Sequence, residues 1–263
     1  MSEIDDSKAP LLDHLIELRQ RLFKSIIALA IGFGIAFYFA GDIFRFLAQP
    51  YVEAVGPDGA KNLIYTKLYE AFFTEVKVAL FAAFFFAFPV IANQVWAFVA
   101  PGLYKHEKRA FLPFIIATPV LFTMGAALAY YVVMPTAFRF FLGYQQTTGT
   151  FSVSALPAIA DYLSLVMNFI FAFGISFLLP VLLMLLERAG IVNRKQLQAG
   201  RRYAIVAAFV VAAVITPPDV ISQLMLAIPM IILYELALVG IWLTERGRAK
   251  KKQALAAAEQ EPS

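Results

Sequence analysis

Cysteine is absent from the 263 residues, histidine occurs only at His14 and His106, and charged side chains make up 15% of the chain. Without cysteine there are no disulfides, no thiolate catalysis and no sulfur-ligated metal. Two histidines are too few for an imidazole metal centre, so neither metal nor cofactor is expected. A Ser-His pairing or paired-aspartate motif that would mark an intramembrane hydrolase is missing as well, and no catalytic role is expected. Fixed-period repeats are absent. Low complexity is confined to the Lys- and Ala-rich tail, 244–263, which is expected to be cytoplasmic, solvated and disordered.

What the chain has is apolar length. Hydrophobic residues make up 61% of it, clustered in runs far longer than a soluble core helix requires, which defines an all-α, polytopic membrane protein. Six spans are predicted, at 22–40, 78–96, 111–134, 162–186, 203–215 and 220–243, in a single membrane domain covering 1–243. Pro89, Pro113, Pro119, Pro135, Pro180 and Pro229 each remove a backbone donor, so the helices are expected to be kinked. The two crossings at the C-terminal end are short. Residues 203–215 give about 20 Å of helix against a hydrocarbon core of about 30 Å, and Glu235 limits the uncharged part of the last span to 220–234. Such a pair would thin the bilayer locally or admit water from one side. The longest connection, 41–71, mixes Pro, Gly and aromatic residues and is expected to have structure of its own, with "PDG" at 57–59 a turn.

A net charge of +4 would, in a soluble protein, raise the question of nucleic acid, but the placement of the basic residues answers it differently. Seventeen Lys and Arg lie on the N-terminus, the second and fourth connections and the tail, and only four on the alternate connections. That asymmetry puts both termini in the cytoplasm, which an even number of crossings satisfies. The first ten residues, "MSEIDDSKAP", are acidic, and no small-residue cleavage site clearly follows the first apolar run, so a removable signal peptide is not expected.

Carboxylates near the span ends carry the functional question. Glu107, in "APGLYKHEKR", is the lone acid among Lys105, His106, Lys108 and Arg109. Positions three and four away hold Leu103, Tyr104, Ala110 and Phe111, so on a helix Glu107 has no local ion-pair partner, whereas in a loop it can pair with its neighbours. Glu17, in "LLDHLIELRQR", has Arg21 four residues on in the favourable orientation, and an exposed pair of that kind is weak enough for Glu17 to exchange its partner. In "TPPD", Thr216 is placed to cap the last helix, with Pro217 at its first position and Asp219 completing a capping box. Glu187, beside Arg188 and ahead of a C-capping Gly190, reads as interfacial. Glu235 sits inside an apolar span, where an acid costs about 2.5–3.5 kcal/mol to insert, and the sequence names no partner for it; it is a candidate intramembrane functional acid. On the residues alone, a small proton- or ion-coupled transporter with Glu235, Asp219 and Glu187 along its path would rank first, although the repeat symmetry it predicts is not visible.

Three stretches in order on this six-span frame resemble the TatC family, the multispanning core subunit of the twin-arginine protein translocase. They are "HLIELRQRL" at 14–22, "QVWAFVAPGLYKHEKR" at 94–109, and "TPPDVISQ" at 216–223 followed by "LAIPM" at 226–230; similarity runs from about residue 11 to 243. The resemblance implies a receptor for signal peptides that carry two consecutive arginines. With TatA and TatB it would move folded proteins across the bacterial cytoplasmic (inner) membrane, driven by the proton-motive force. It further implies that Glu17 and Glu107 accept the arginine pair at the cytoplasmic face, with Arg19, Phe98 and Leu103 at the same site. Thr216 and Gln223 would dock TatA or TatB, and the chain would self-associate in the receptor complex. A guanidinium meets a carboxylate as a planar fork, which an ammonium cannot do, so acids at such a site can demand arginine over lysine. One departure from the family pattern is Leu178, two residues before Pro180, where a glutamate is common; Ser164, Asn168 and Ser176 are the polar residues left in that span.

Overall fold

The computed structural model describes residues 3–56, 62–103, 112–148, 151–153, 155–216 and 219–258. The chain forms two compact units, Met1–Phe171 and Ala172–Ser263, with the boundary inside one helix.

The first unit holds α1 (Glu3–Tyr38), α2 (Ala40–Val55), α3 (Glu70–Leu103), α4 (Leu112–Leu128), a π turn (Ala129–Val133), α5 (Met134–Leu142) and the N-terminal part of α6 (Ile159–Ser176). A short antiparallel hairpin, β1 (Gln146–Thr148) with β2 (Phe151–Val153), precedes α6 and is an addition to the all-helical expectation. The most extensive packing is α1 on α3. Gly32, Ala36 and Ala40 recur every four residues, and Ala36 and Ala40 bury against Ala79, Ala82 and Ala83, flanked by Leu29, Phe33 and Ile43. A Cβ on Gly32 would lie 3.1 Å from the Ala83 carbonyl oxygen, so the two backbones are as close as glycine permits. Lipid tails are as apolar as leucine and give helices no hydrophobic reason to associate, so close backbone approach and van der Waals contact must hold this pair. Farther along α3, Phe81, Phe84, Phe85 and Phe88 interlock with Phe122 of α4 and Phe171 of α6; Phe88 stacks on Phe122 at 4.0 Å.

The connection 41–71 does have its own structure, the helix α2. Pro50 sits inside α2 and cannot donate to the carbonyl of Phe46, one turn earlier. The hydroxyl of Tyr130 donates to that freed carbonyl, and its ring stacks on Phe46 at 4.4 Å. Tyr130 belongs to the π turn, closed by the Met134 N–H bonding the Ala129 carbonyl, directly before Pro135. Tyr162 makes a parallel bond to the Leu47 carbonyl at 2.8 Å. The rest of the connection is held by Glu70, which the sequence reading did not single out. Its carboxylate accepts bonds from Thr66 N (2.7 Å), Thr66 Oγ1 (2.9 Å), Lys67 N (3.2 Å) and Ala160 N (3.1 Å), the last a donor at the start of α6 that has no helical partner. Ile64 pairs with Ala158 beside it as an isolated parallel bridge.

The second unit runs from the end of α6 through α7 (Leu179–Arg188), α8 (Arg194–Ala199), α9 (Arg201–Ile215) and α10 (Val220–Ala258). The fourth predicted span is broken at 177–178, and Pro180 stands in the first turn of α7 rather than kinking a continuous helix. Pro119 and Pro229 do lie inside helices. Gly190 ends α7 as predicted, at φ +73, with its N–H bonded to the Glu187 carbonyl and that of Ile191 to the Leu186 carbonyl. The tail expected to be disordered continues α10 as helix to Ala258, because Ala and Lys propagate a helix that the span has already nucleated. Among the described residues, five stretches are long and apolar enough to cross a membrane: His14–Tyr38, Glu70–Phe98, Pro113–Leu142, Ile159–Arg188 and Val220–Arg248. The fifth predicted span, α9, has 15 residues and is too short to join them.

Two substitutions test this packing. Tyr130→Phe removes the donor to the part-buried Phe46 carbonyl and is expected to cost about 1 kcal/mol, read as a lowered thermal midpoint in detergent. Gly32→Leu is expected to lower it by a similar amount through forced separation of α1 from α3, whereas the same change at Gly34, which has open space, should not.

Candidate functional site

In the first unit the structure brings two of the sequence's motifs together. The imidazole of His14 on α1 stacks on the ring of Phe98 near the end of α3, centroids 4.2 Å apart and planes 17° from parallel. At about 100° per residue, Glu17 and Arg21 lie on the same face of α1 as His14, while Arg19 is about 140° round the helix. The face that carries Glu17 is therefore the one turned to the C-terminal turns of α3, and Arg19 is exposed elsewhere. Trp96, two residues before Phe98, fixes that end of α3: its Nε1 donates to Thr118 Oγ1 at 2.9 Å, and Thr118 passes the bond on to the Phe114 carbonyl at 2.7 Å. Leu103 is the last residue of α3. Glu107 lies outside the described residues, and so does the choice between helix and loop on which its local pairing turned.

Glu17 has the partner its spacing predicts. Arg21 donates to a single oxygen, Oε1, from Nη2 at 2.6 Å and from Nε at 3.0 Å. The pair is neither buried nor free, with 34% of the Glu17 and 24% of the Arg21 side chain accessible.

In the second unit each candidate acid is engaged. Glu235, for which the sequence names no partner, accepts from Arg201 Nη2 at 2.8 Å, and both side chains are about half exposed. The partner was missed because it opens α9, 34 positions earlier. Glu187 pairs with Arg248 at 2.9 Å, 61 positions on, and Arg194 reaches Glu245 at 3.3 Å. Tyr234 donates to the Leu197 carbonyl at 2.7 Å, so α10 is fastened along its length to the segment from α7 to α9.

The cap of α10 differs from the capping box expected of "TPPD". Asp219 is itself the cap, its Oδ1 accepting from Ser222 N at 2.7 Å. Thr216 instead donates back to the Ala212 carbonyl at 2.8 Å and terminates α9. The helix begins too late for Thr216 to reach it. Gln223 reaches the Phe209 carbonyl at 3.4 Å, while Asp219 Oδ2 and Ser222 Oγ are buried with no hydrogen-bond partner among the described residues. Of the polar residues near Leu178, Ser176 is buried and Asn168 exposed. No group of three or more His, Cys, Asp or Glu is placed to hold a metal among the described residues.

A helical, multi-span membrane protein with small-residue helix packing, several of whose acids are held by arginines, is the class this structure defines. The family model for the Sec-independent protein translocase protein TatC matches residues 13–229. A TatC from Magnetococcus marinus is 51% identical over 249 residues, covering 95% of this chain and 90% of that one, and the Escherichia coli TatC is 43% identical over 233 residues, 89% and 88% of the two chains. A crystal structure of the twin arginine translocase receptor TatC in DDM superposes with a TM-score of 0.73 at 41% identity, over 86% of this chain and 98% of that one. The chain belongs to the TatC family, a component of the Sec-independent protein translocase.

Because the chain has no native cysteine, the His14–Phe98 contact can be tested directly. Cysteines placed at 14 and 98 together are expected to be joined by a short bifunctional thiol reagent in native membranes. A pair at 19 and 98 is expected to react far less.

Proposed function

We propose that this chain is the signal-peptide receptor and core subunit of a twin-arginine translocase. Glu17 and Glu107 accept the two guanidinium groups of the signal peptide, with Arg19, Phe98 and Leu103 around them. The observation that carries this reading is the stack of Phe98 on His14: it sets Glu17 opposite the end of α3, from which the chain leads on to Glu107. The cationic residues that flank Glu107 then discourage any positively charged segment that cannot satisfy both acids.

Six crossings, α9 included, leave both termini in the cytoplasm of a bacterium and place the site at the cytoplasmic face of the inner membrane. Transport of folded cargo with TatA and TatB is driven by the proton-motive force, and the receptor self-associates. Thr216 and Gln223, where α9 meets α10, dock the single-span partners; the neighbouring buried oxygens of Asp219 and Ser222 make that turn polar for its depth. The carboxylates a small-solute transporter would need along its path are engaged by Arg201, Arg248 and the cap of α10, so the transporter reading gains nothing from the structure.

The test is site-specific crosslinking from position 103 to synthetic signal peptides bearing Arg-Arg or Lys-Lys. Glu107→Lys is expected to abolish the Arg-Arg crosslink while leaving membrane insertion intact. Equal crosslinking of the Lys-Lys peptide to the unmodified chain refutes the proposal.

A further inference from the structure

The acid assigned to an incoming arginine already holds one. Both bonds from Arg21 end on Oε1 of Glu17, and the pair sits on the α1 face that meets Phe98. We infer that Arg21 is a resident guanidinium that occupies Glu17 in the empty receptor and must be displaced when a signal peptide binds. This rests on the assignment of Glu17 to the peptide's arginine made above.

Chemical identity makes the exchange possible. The leaving and entering groups are the same planar cation, so the carboxylate loses and regains equivalent bonds, and Glu17 is never left bare at the membrane boundary. The position of Arg21 four residues on, in the favourable helical orientation, makes the resident pair form without rearrangement of the backbone. Its partial exposure keeps it weak enough to open. The displaced side chain has solvent to enter, and its departure need not disturb the helix, since the backbone carbonyl of Arg21 already serves Ser25 Oγ at 3.0 Å. The consequence is a ceiling on affinity. Part of what the peptide gains at Glu17 is spent opening the resident pair, which keeps the first encounter reversible and lets cargo leave.

The experiment is a double-mutant cycle on the full chain in lipid nanodiscs, with an Arg-Arg signal peptide as probe. Arg21→Gln is expected to tighten binding by about two- to fivefold, the range that a partly exposed ion pair spans. Arg21→Lys keeps the charge but gives up the fork, and is expected to tighten it less. In a Glu17→Gln background the gain from Arg21→Gln should shrink to what removal of one positive charge gives alone. If Arg-Arg binding depends on Glu17 but Arg21→Gln leaves it unchanged or weaker, or if the gain is as large without Glu17, the displacement is wrong and the receptor assignment stands. Binding that is indifferent both to Glu17→Gln and to replacement of Arg-Arg by Lys-Lys removes the assignment and this inference together.

Discussion

In a bilayer no water reaches the hydrocarbon, so every backbone donor and acceptor must find its partner inside the protein. Much of the local structure here answers that constraint. Proline at position 50 frees a carbonyl on α2, and a tyrosine more than eighty residues later supplies the missing bond. The π turn that presents this tyrosine closes its own hydrogen bonds immediately ahead of another proline. At the start of α6 an orphan N–H is met by Glu70 from α3, and at the start of α10 by Asp219. At each of these points a side chain completes the backbone that a proline or a helix start leaves open.

The carboxylates divide along the same line. Glu70 and Asp219 serve main-chain donors and are structural, while Glu187, Glu235 and Glu245 face arginines from other helices and tie α10 to its neighbours. Glu17 is held by a residue of its own helix, one turn away, as Asp42 is by Arg45. A contact within a single turn can open without separating two elements, whereas releasing Glu235 or Glu187 would loosen the packing of a whole helix. That difference in what must move separates an acid free to change partners from one that holds the fold.

The helical, multi-span architecture was legible because apolar length is a property of the chain itself. The spans at 78–96 and 220–243 fall inside helices, and Gly190 ends α7 where the spacing put it. What escaped was set by the third dimension. The partners of Glu70 include a residue ninety positions away, with no local pattern to announce it. Arg201 could have been found: counting equal numbers of residues outward from the turn between α9 and α10 sets it against about position 234, beside Glu235. The box imagined for "TPPD" failed because the helix starts one residue after Asp219, which made the aspartate the cap and left Thr216 to the helix before it. At the candidate site, the helical spacing of His14, Glu17 and Arg21 was readable, but only the stack on Phe98 tells which way that face is turned.

The helix α10 has 39 residues, about 58 Å at 1.5 Å per residue, or roughly twice the thickness of a hydrocarbon core. Its part beyond Arg248, where the stretch apolar enough to cross a membrane ends, is ten residues of helix, about 15 Å, rather than a slack tether. Anything joined to its tip turns with the helix, so a protein fused there would report the orientation of this crossing as well as its presence.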